Sequence, residues 1–323
     1  MKYIKLIVFN ISLIFILLLV IEYFLPTISL PIYTSRSINL VEHGPNQTKN
    51  FKSRENNETI RFITDENGFL NKNLKSKDIY AIFFGGSTTE NILINPQKRF
   101  TKQIENKLRK DCECDLIILN GGVSGNNNLN NYLSFIAKGI PLKPRFVFLM
   151  GSLNDYYQLN RNSSYWNITD NKSVIVNNQS YLFRFFNFLK NNLFSNIYYH
   201  LKSTGITSFF DTRNDSAIGS NIDFNKKEFI AIINSFNHLS NALDIKFIFM
   251  TEPYLDLKYG KREIEAISSL IEQTDLIFID LEKIVPKEKK YFLDNTHLSE
   301  EGNLLVSEII FEKIKLINDN NQN

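Results

Sequence analysis

Ser87, Asp294 and His297 are the residues whose types and surroundings could carry chemistry in this chain. Ser87 follows the apolar run Tyr80-Ala81-Ile82-Phe83-Phe84 and the pair Gly85-Gly86. That pattern is a buried strand ending in a tight turn where glycine frees the backbone. A serine there stands at the carboxyl end of a strand, the edge on which open α/β sheets bind ligands. Ser87 or Thr88 also reads as a helix N-cap, on the preference of Ser and Thr for that position. Two more apolar runs end in the same way. Leu116-Ile117-Ile118-Leu119-Asn120 leads into Gly121-Gly122-Val123-Ser124-Gly125, and Arg145-Phe146-Val147-Phe148-Leu149-Met150 into Gly151-Ser152-Leu153-Asn154-Asp155. Near the C-terminus, Asp294-Asn295-Thr296-His297 sets an acid three residues before a histidine. Of the histidines at 43, 200, 238 and 297, only the last has that neighbour in a late loop. Parallel strands place their carboxyl ends on one edge, so the four loops can converge. A nucleophile, a base, a group that orients the base and donors for an oxyanion are what acyl transfer from an ester requires.

The elements that must position these loops follow from the periodicity. Between the apolar runs, Pro96 to Lys110, Asn131 to Gly139, Phe224 to Leu243 and Lys261 to Gln273 have helical spacing. Lys246 to Met250 and Leu276 to Ile279 read as further strands, and Ser299-Glu300-Glu301-Gly302 opens a closing helix to about Leu316. Alternating strands and helices predict a mostly parallel sheet covered on both faces, a three-layer α/β/α sandwich. From about 156 to 225 the rhythm degrades into aromatic- and Asn-rich sequence with helical pieces such as Tyr181 to Lys190, read as an insertion over the site. Within it Tyr156, Tyr157, Tyr165 and Trp166 are candidates for stacking on a sugar or lining an acyl pocket, set against plain packing. Asp155 reads as a cap for the segment after it and Glu90 as a brace for the first helix.

The chain has 323 residues, with 37 basic and 34 acidic side chains and a hydrophobic content of 43%. That suffices for one large α/β domain with additions. Near-balanced charge without a basic block interleaved with aromatics argues against nucleic acid as a partner. Leu6 to Leu25 is an apolar run broken only by Asn10, Ser12 and Glu22. About 20 apolar residues cross a bilayer as a helix. Lys2 and Lys5 precede the run, which puts the N-terminus in the cytoplasm and the rest outside it. No small-x-small cleavage pattern precedes Pro26, which favours a retained anchor over a signal peptide. The expected organisation is a transmembrane helix at 1–25, a stalk at 26–75 leading into irregular structure or a small edge hairpin, and a catalytic domain at 76–323. Cys112 and Cys114 flank one glutamate; the spacing suits neither a metal nor a C-x-x-C site, and a local disulfide and free surface thiols both remain open.

The four loop segments together resemble the SGNH (GDSL-like) hydrolase family, whose four blocks carry Ser, Gly, Asn and His in that order. The resemblance spans Ile79 to about Leu316. It implies Ser87 as nucleophile, His297 as general base and Asp294 as the residue that orients and stabilises the imidazole. It also implies an oxyanion hole from the backbone N–H groups of Ser87 and Gly122 and the side-chain amide of Asn154. Gly86 stands where the family often has Asp, and Ser152 where the third block usually has Gly. An α/β-hydrolase elbow would need glycine at position 89, which is Thr, although its order of Ser, acid and His holds. No Gly-x-Gly-x-x-Gly or Gly-Lys phosphate loop is present. The resemblance implies a serine esterase needing no cofactor, acting outside the cytoplasm on O-acyl groups, most often acetyl, of a glycan. An O-acyltransferase or a lipid esterase would use the same residues. A catalytically idle fold that binds glycan or scaffolds an assembly would have no need of the nucleophile.

Overall fold

Three consecutive stretches of aromatic and branched residues, each too short for a helix, form the centre of the molecule. In the computed structural model the described residues are 2–24, 37–38, 40–53, 58–70, 79–160, 163–166, 175–176, 224–257 and 260–319. The chain divides into two compact units, Met1–Arg36 and Ser37–Asn323.

The first unit contains helix α1 (Lys2–Phe24). Its described side chains, Leu6 to Ile14 with Ile16, Leu17 and Val20, are all exposed. Among the described residues no helix is long and apolar enough to cross a membrane, so the expected span is not shown.

The second unit begins with a two-residue strand, Ser37–Ile38, paired antiparallel with Ile175–Val176, and continues with an antiparallel hairpin, β1 (Thr48–Lys52) and β2 (Thr59–Ile63), with Thr48 opposite Ile63 and Lys52 opposite Thr59. It lies inside the stretch read as a lead-in. Residues 40 to 70 are tied to the domain by backbone bonds such as Leu70 N–H to Asn120 O at 2.8 Å. Then come β3 (Ile79–Gly85), α2 (Ser87–Glu90), α3 (Phe100–Cys112), β4 (Ile117–Asn120), α4 (Asn128–Ser134), β5 (Phe146–Met150) and α5 (Leu153–Leu159). They are followed by α6 (Lys226–Ala242), β6 (Lys246–Met250), α7 (Lys261–Ile271), β7 (Phe278–Ile279), α8 (Leu281–Ile284) and α9 (Glu300–Asp319). The five strands β3 to β7 form one parallel sheet in the order β4-β3-β5-β6-β7. The order reverses beside β3. Its carboxyl end is therefore the switch point where open sheets leave a crevice.

Strand alternation sorts the core into two clusters. Ala81, Phe83, Phe146, Phe148, Ile248 and Met250 pack against Phe100, Ile104 and Leu108 of α3 and Val306, Ile310 and Ile314 of α9. Ile82, Phe84, Val147, Leu149, Phe247 and Phe249 pack against Phe229, Ile233 and Phe236 of α6 and Ile264, Ile267 and Ile271 of α7. The i, i+4 spacing of the α3 and α9 residues lays one stripe of each helix on the sheet. Phe83 and Phe148 on neighbouring strands stack at 4.2 Å between ring centroids. Each such side chain contributes about 1.5–3 kcal/mol by leaving water. The result is the expected α/β/α layering.

Several boundaries differ from the sequence reading for local reasons. The stretch Pro96 to Lys110 splits because Arg99 is extended (ψ 138°). Its buried guanidinium Nε donates to Asn91 O and Ile94 O at 3.0 and 3.3 Å. Helix α4 starts at Asn128 instead of 131, since Asn127 and Asn130 form a reciprocal capping pair. The last strand shrinks to two residues. Of the 156–225 insertion, residues 161–162, 167–174 and 177–223 lie outside the described residues, including the helix expected at Tyr181 to Lys190. Cys112 and Cys114 are joined in a disulfide with Cα atoms 5.1 Å apart.

Candidate active site

Ser87 is the first residue of α2, immediately beyond β3, and is half-buried. The turn is built on close backbone approach. A Cβ on Gly86 would overlap the Asn154 amide nitrogen, and one on Gly85 the Thr89 hydroxyl. His297 comes from the loop before α9, and its Nε2 lies 2.9 Å from Ser87 Oγ. The imidazole Nδ1 lies 2.8 Å from Asp294 Oδ2. Asp294 Oδ1 also accepts the backbone N–H groups of Thr296 and His297 at 3.0 and 2.9 Å. Burial raises the Asp294 carboxyl, but these two amides and the imidazole outweigh it and hold the group below the usual carboxylate range. An anionic carboxylate on Nδ1 assigns the proton to that nitrogen, which leaves the Nε2 lone pair facing the Ser87 hydroxyl.

Asn154, in the first turn of α5, is brought to the same place. Its Nδ2 donates to Asn126 O at 3.0 Å, and the amide carries a second hydrogen.

Gly122, expected as an oxyanion donor, donates its N–H to Asn120 Oδ1 at 2.9 Å, so that hydrogen is already engaged in this structure. Asn120 Nδ2 in turn donates to Thr89 O at 2.8 Å. Glycine is needed at 122 for space, since a Cβ would overlap the Glu90 amide nitrogen. The second block thus supports α2 from below. Later in the same turn, Gly125 adopts φ 83°, and Ser124 lines the cleft described next.

A cleft of about 220 Å³ opens on Ser87 and His297, bounded by Ile92, Leu93, Ile94 and Leu293 together with Glu90, Asn91 and Ser124. A larger cavity of about 430 Å³ lies at the opposite, amino end of the sheet, where Ile79, Leu116 and Arg145 precede or begin their strands. It is remote from the serine and histidine.

Other residues singled out in the sequence have different duties. Glu90 is buried and pairs with His43 Nε2 at 2.7 Å; it also accepts the Ser124 hydroxyl. It braces the second-block turn and the N-terminal segment at once. Asp155 lies in the first turn of α5, past its N-cap Ser152. It accepts the N–H of Asn128 at 2.8 Å, at the start of α4, and the hydroxyl of Tyr165. Tyr156 and Tyr165 are buried in the core, whereas Tyr157 and Trp166 are exposed. Among the described residues no group of His, Cys, Asp and Glu could hold a metal ion.

Glu252 was passed over in the sequence. It follows β6 by two residues, is 2% exposed, and its Oε2 accepts the Leu153 N–H at 2.8 Å. Its position just past the carboxyl end of an apolar strand was the available signal, since that edge holds the other site residues.

No family model matches the chain, and no curated protein matches it. Among solved structures it is similar to an acetyl xylan esterase (AlAXEase; 14% identity over 73% of this chain and 100% of that one, TM-score 0.46). It is also similar to an acetylxylan esterase from Geobacillus stearothermophilus (14% identity, 74% and 96% covered, TM-score 0.44). A GDSL-like lipase from Bacteroides thetaiotaomicron is a third (16% identity, 77% and 93% covered, TM-score 0.43).

Proposed function

We propose that the protein is a serine ester hydrolase of the SGNH type acting on short O-acyl groups, acetyl above all, carried by a glycan. One observation carries the reading: His297 is within hydrogen-bond reach of Ser87 through one ring nitrogen and of Asp294 through the other. In this mechanism Ser87 Oγ attacks the acyl carbonyl while His297 Nε2 takes its proton. The imidazolium, stabilised by Asp294, then protonates the leaving alkoxide, and water releases the acyl group by the same steps in reverse roles. The tetrahedral oxyanion is held by the Ser87 N–H and the second hydrogen of Asn154 Nδ2. Each such donor is worth about 10²–10³ in rate.

The small cleft favours a short acyl group over a lipid chain, since pockets for drug-sized ligands start at about 300 Å³. The N-terminal helix acts as the anchor in this reading. Its 23 residues extend about 35 Å, its described apolar side chains are exposed, and Lys2 and Lys5 precede them, which favours a catalytic domain outside the cytoplasm.

The test is labelling of the full chain with a fluorophosphonate, together with hydrolysis of p-nitrophenyl acetate and longer esters, beside Ser87→Ala. Labelling and acetate turnover that vanish in Ser87→Ala are expected. Labelling that persists in the variant would overturn the nucleophile. Labelling without turnover would redirect the reading to acyl transfer onto an obligatory acceptor. Extraction from membranes by detergent but not by alkaline carbonate is expected if α1 is an anchor.

A further inference from the structure

Glu252 is a buried ionisable group beside the site to which the proposed mechanism gives no part. Its surroundings tie together the elements that carry the site. The carboxylate Oε2 accepts the N–H of Leu153, the first residue of α5 and the neighbour of Asn154. Its own N–H donates to Ser152 Oγ at 3.3 Å. The other oxygen lies 3.4 Å from where a Gly86 Cβ would stand, so it sits against the turn that presents Ser87. The Thr88 hydroxyl, one residue past the nucleophile, hydrogen-bonds the same carboxylate, and Thr88 Oγ1 is also 3.4 Å from the carbonyl of Thr296, which precedes His297. The first turns of α2 and α5 therefore meet at the Glu252 side chain, and Thr88 links that junction to the histidine loop.

Resting on the esterase reading, we infer that Glu252 is a positioning residue that fixes the Asn154 amide relative to Ser87 by accepting hydrogen bonds from both elements at once. In its ionised form, above about pH 7, the carboxylate suits this because both oxygens accept. A glutamine keeps one acceptor for Leu153 but turns the other position into a donor, which cannot accept from Thr88. Retaining a wholly buried carboxyl is costly for stability. Burial, with Asp155 nearby, pushes it up to about 7 against the hydrogen bonds of Leu153, Ser152 and Thr88. The group is held for geometry at the reacting centre, where a displacement of about 1 Å costs on the order of 10²-fold in rate.

The experiment is a double-mutant cycle of Glu252→Gln and Asn154→Ala on the full chain. It reads the second-order rate of fluorophosphonate labelling at Ser87, kcat and KM on p-nitrophenyl acetate, and the thermal midpoint. Glu252→Gln is expected to lower the labelling rate and kcat by about ten- to a hundredfold. KM stays close to wild type and the thermal midpoint does not fall below it. In the Asn154→Ala background the same change adds less than about threefold, because its effect passes through Asn154. Multiplicative losses, an unaltered labelling rate, or losses that simply follow the thermal midpoint would each overturn the inference. Ser87→Ala keeps the two levels separate. A wild type that does not label at Ser87 removes the esterase reading and this inference together, whereas labelling that is Ser87-dependent but indifferent to Glu252 removes only the latter.

Discussion

Replacing Asp294 by Asn tests the proposed chemistry with the least disturbance of the fold. In the wild type Oδ1 accepts two backbone N–H groups, those of Thr296 and His297, and Oδ2 lies 2.8 Å from His297 Nδ1. An asparagine must keep its oxygen on the two amide donors, since the flipped orientation would face NH₂ hydrogens against N–H hydrogens. Its Nδ2 then occupies the Oδ2 position and donates to Nδ1. Although Oδ1 also lies 2.9 Å from Nδ1, it is already engaged by two amide donors, so the imidazole shifts towards the tautomer with its proton on Nε2, which cannot accept the proton of Ser87. Loss of the correct tautomer in serine hydrolysis costs on the order of 10⁴ in kcat, about 5.5 kcal/mol of transition-state stabilisation. The assay is p-nitrophenyl acetate hydrolysis by wild type and Asp294→Asn at matched thermal stability. The expected outcome is a kcat lower by about 10³–10⁴ with KM little altered, as for an interaction made in the transition state. A loss of less than about tenfold in a folded variant would refute the role of Asp294 in holding the tautomer.

Three further outcomes follow from other contacts. Glu252, shifted from 4.5 to about 7, binds its proton in the folded chain while the unfolded chain has already released it. Stability therefore falls as pH rises between those values, by on the order of 3 kcal/mol in all; urea midpoints of Glu252→Gln should be flatter than wild type over that range. Gly122→Ala places a methyl against the Glu90 amide and must move α2. A stability loss of about 1–3 kcal/mol is expected, together with a drop in Ser87 labelling well beyond the unfolded fraction, and unchanged labelling would count against the turn's supporting role. The Cys112–Cys114 bridge closes a three-residue loop at the far end of α3. Its replacement by two serines should cost no more than about 2 kcal/mol on chain-entropy grounds and leave acetate turnover unaltered.

The contrast between these tests marks how far the chain was readable before its fold. Strands Ile79–Gly85, Ile117–Asn120 and Phe146–Met150 were legible because uninterrupted apolar runs bounded by glycine have few other fates. Ser87, Asp294 and His297 were legible because each sits in a local pattern of a few residues, and Asn154 because it follows a strand directly. Gly122 was legible as a turn glycine but the partner of its amide was not, since a glycine after a strand offers the same letter whether its amide faces a substrate or a neighbouring side chain. Its N–H goes to Asn120, a choice made by how the loop closes over α2. Glu252 carried no local mark beyond its place at a strand end, and Asp155 reads as an ordinary cap until α4 and Tyr165 are seen against it.

What the sequence by itself determined is the set of elements and the edge of the sheet on which the chemistry gathers. Hydrophobic period and glycine punctuation are local, and parallel pairing places every strand's carboxyl end on one side. What only the tertiary structure decided is which polar groups meet there. The approach of His297 to Ser87 across 210 positions, the capture of the Gly122 amide by Asn120 and the junction at Glu252 depend on the strand order and on helix packing to within about an ångström. Hydrogen bonds are made or lost over that distance, and no spacing in a linear sequence encodes it.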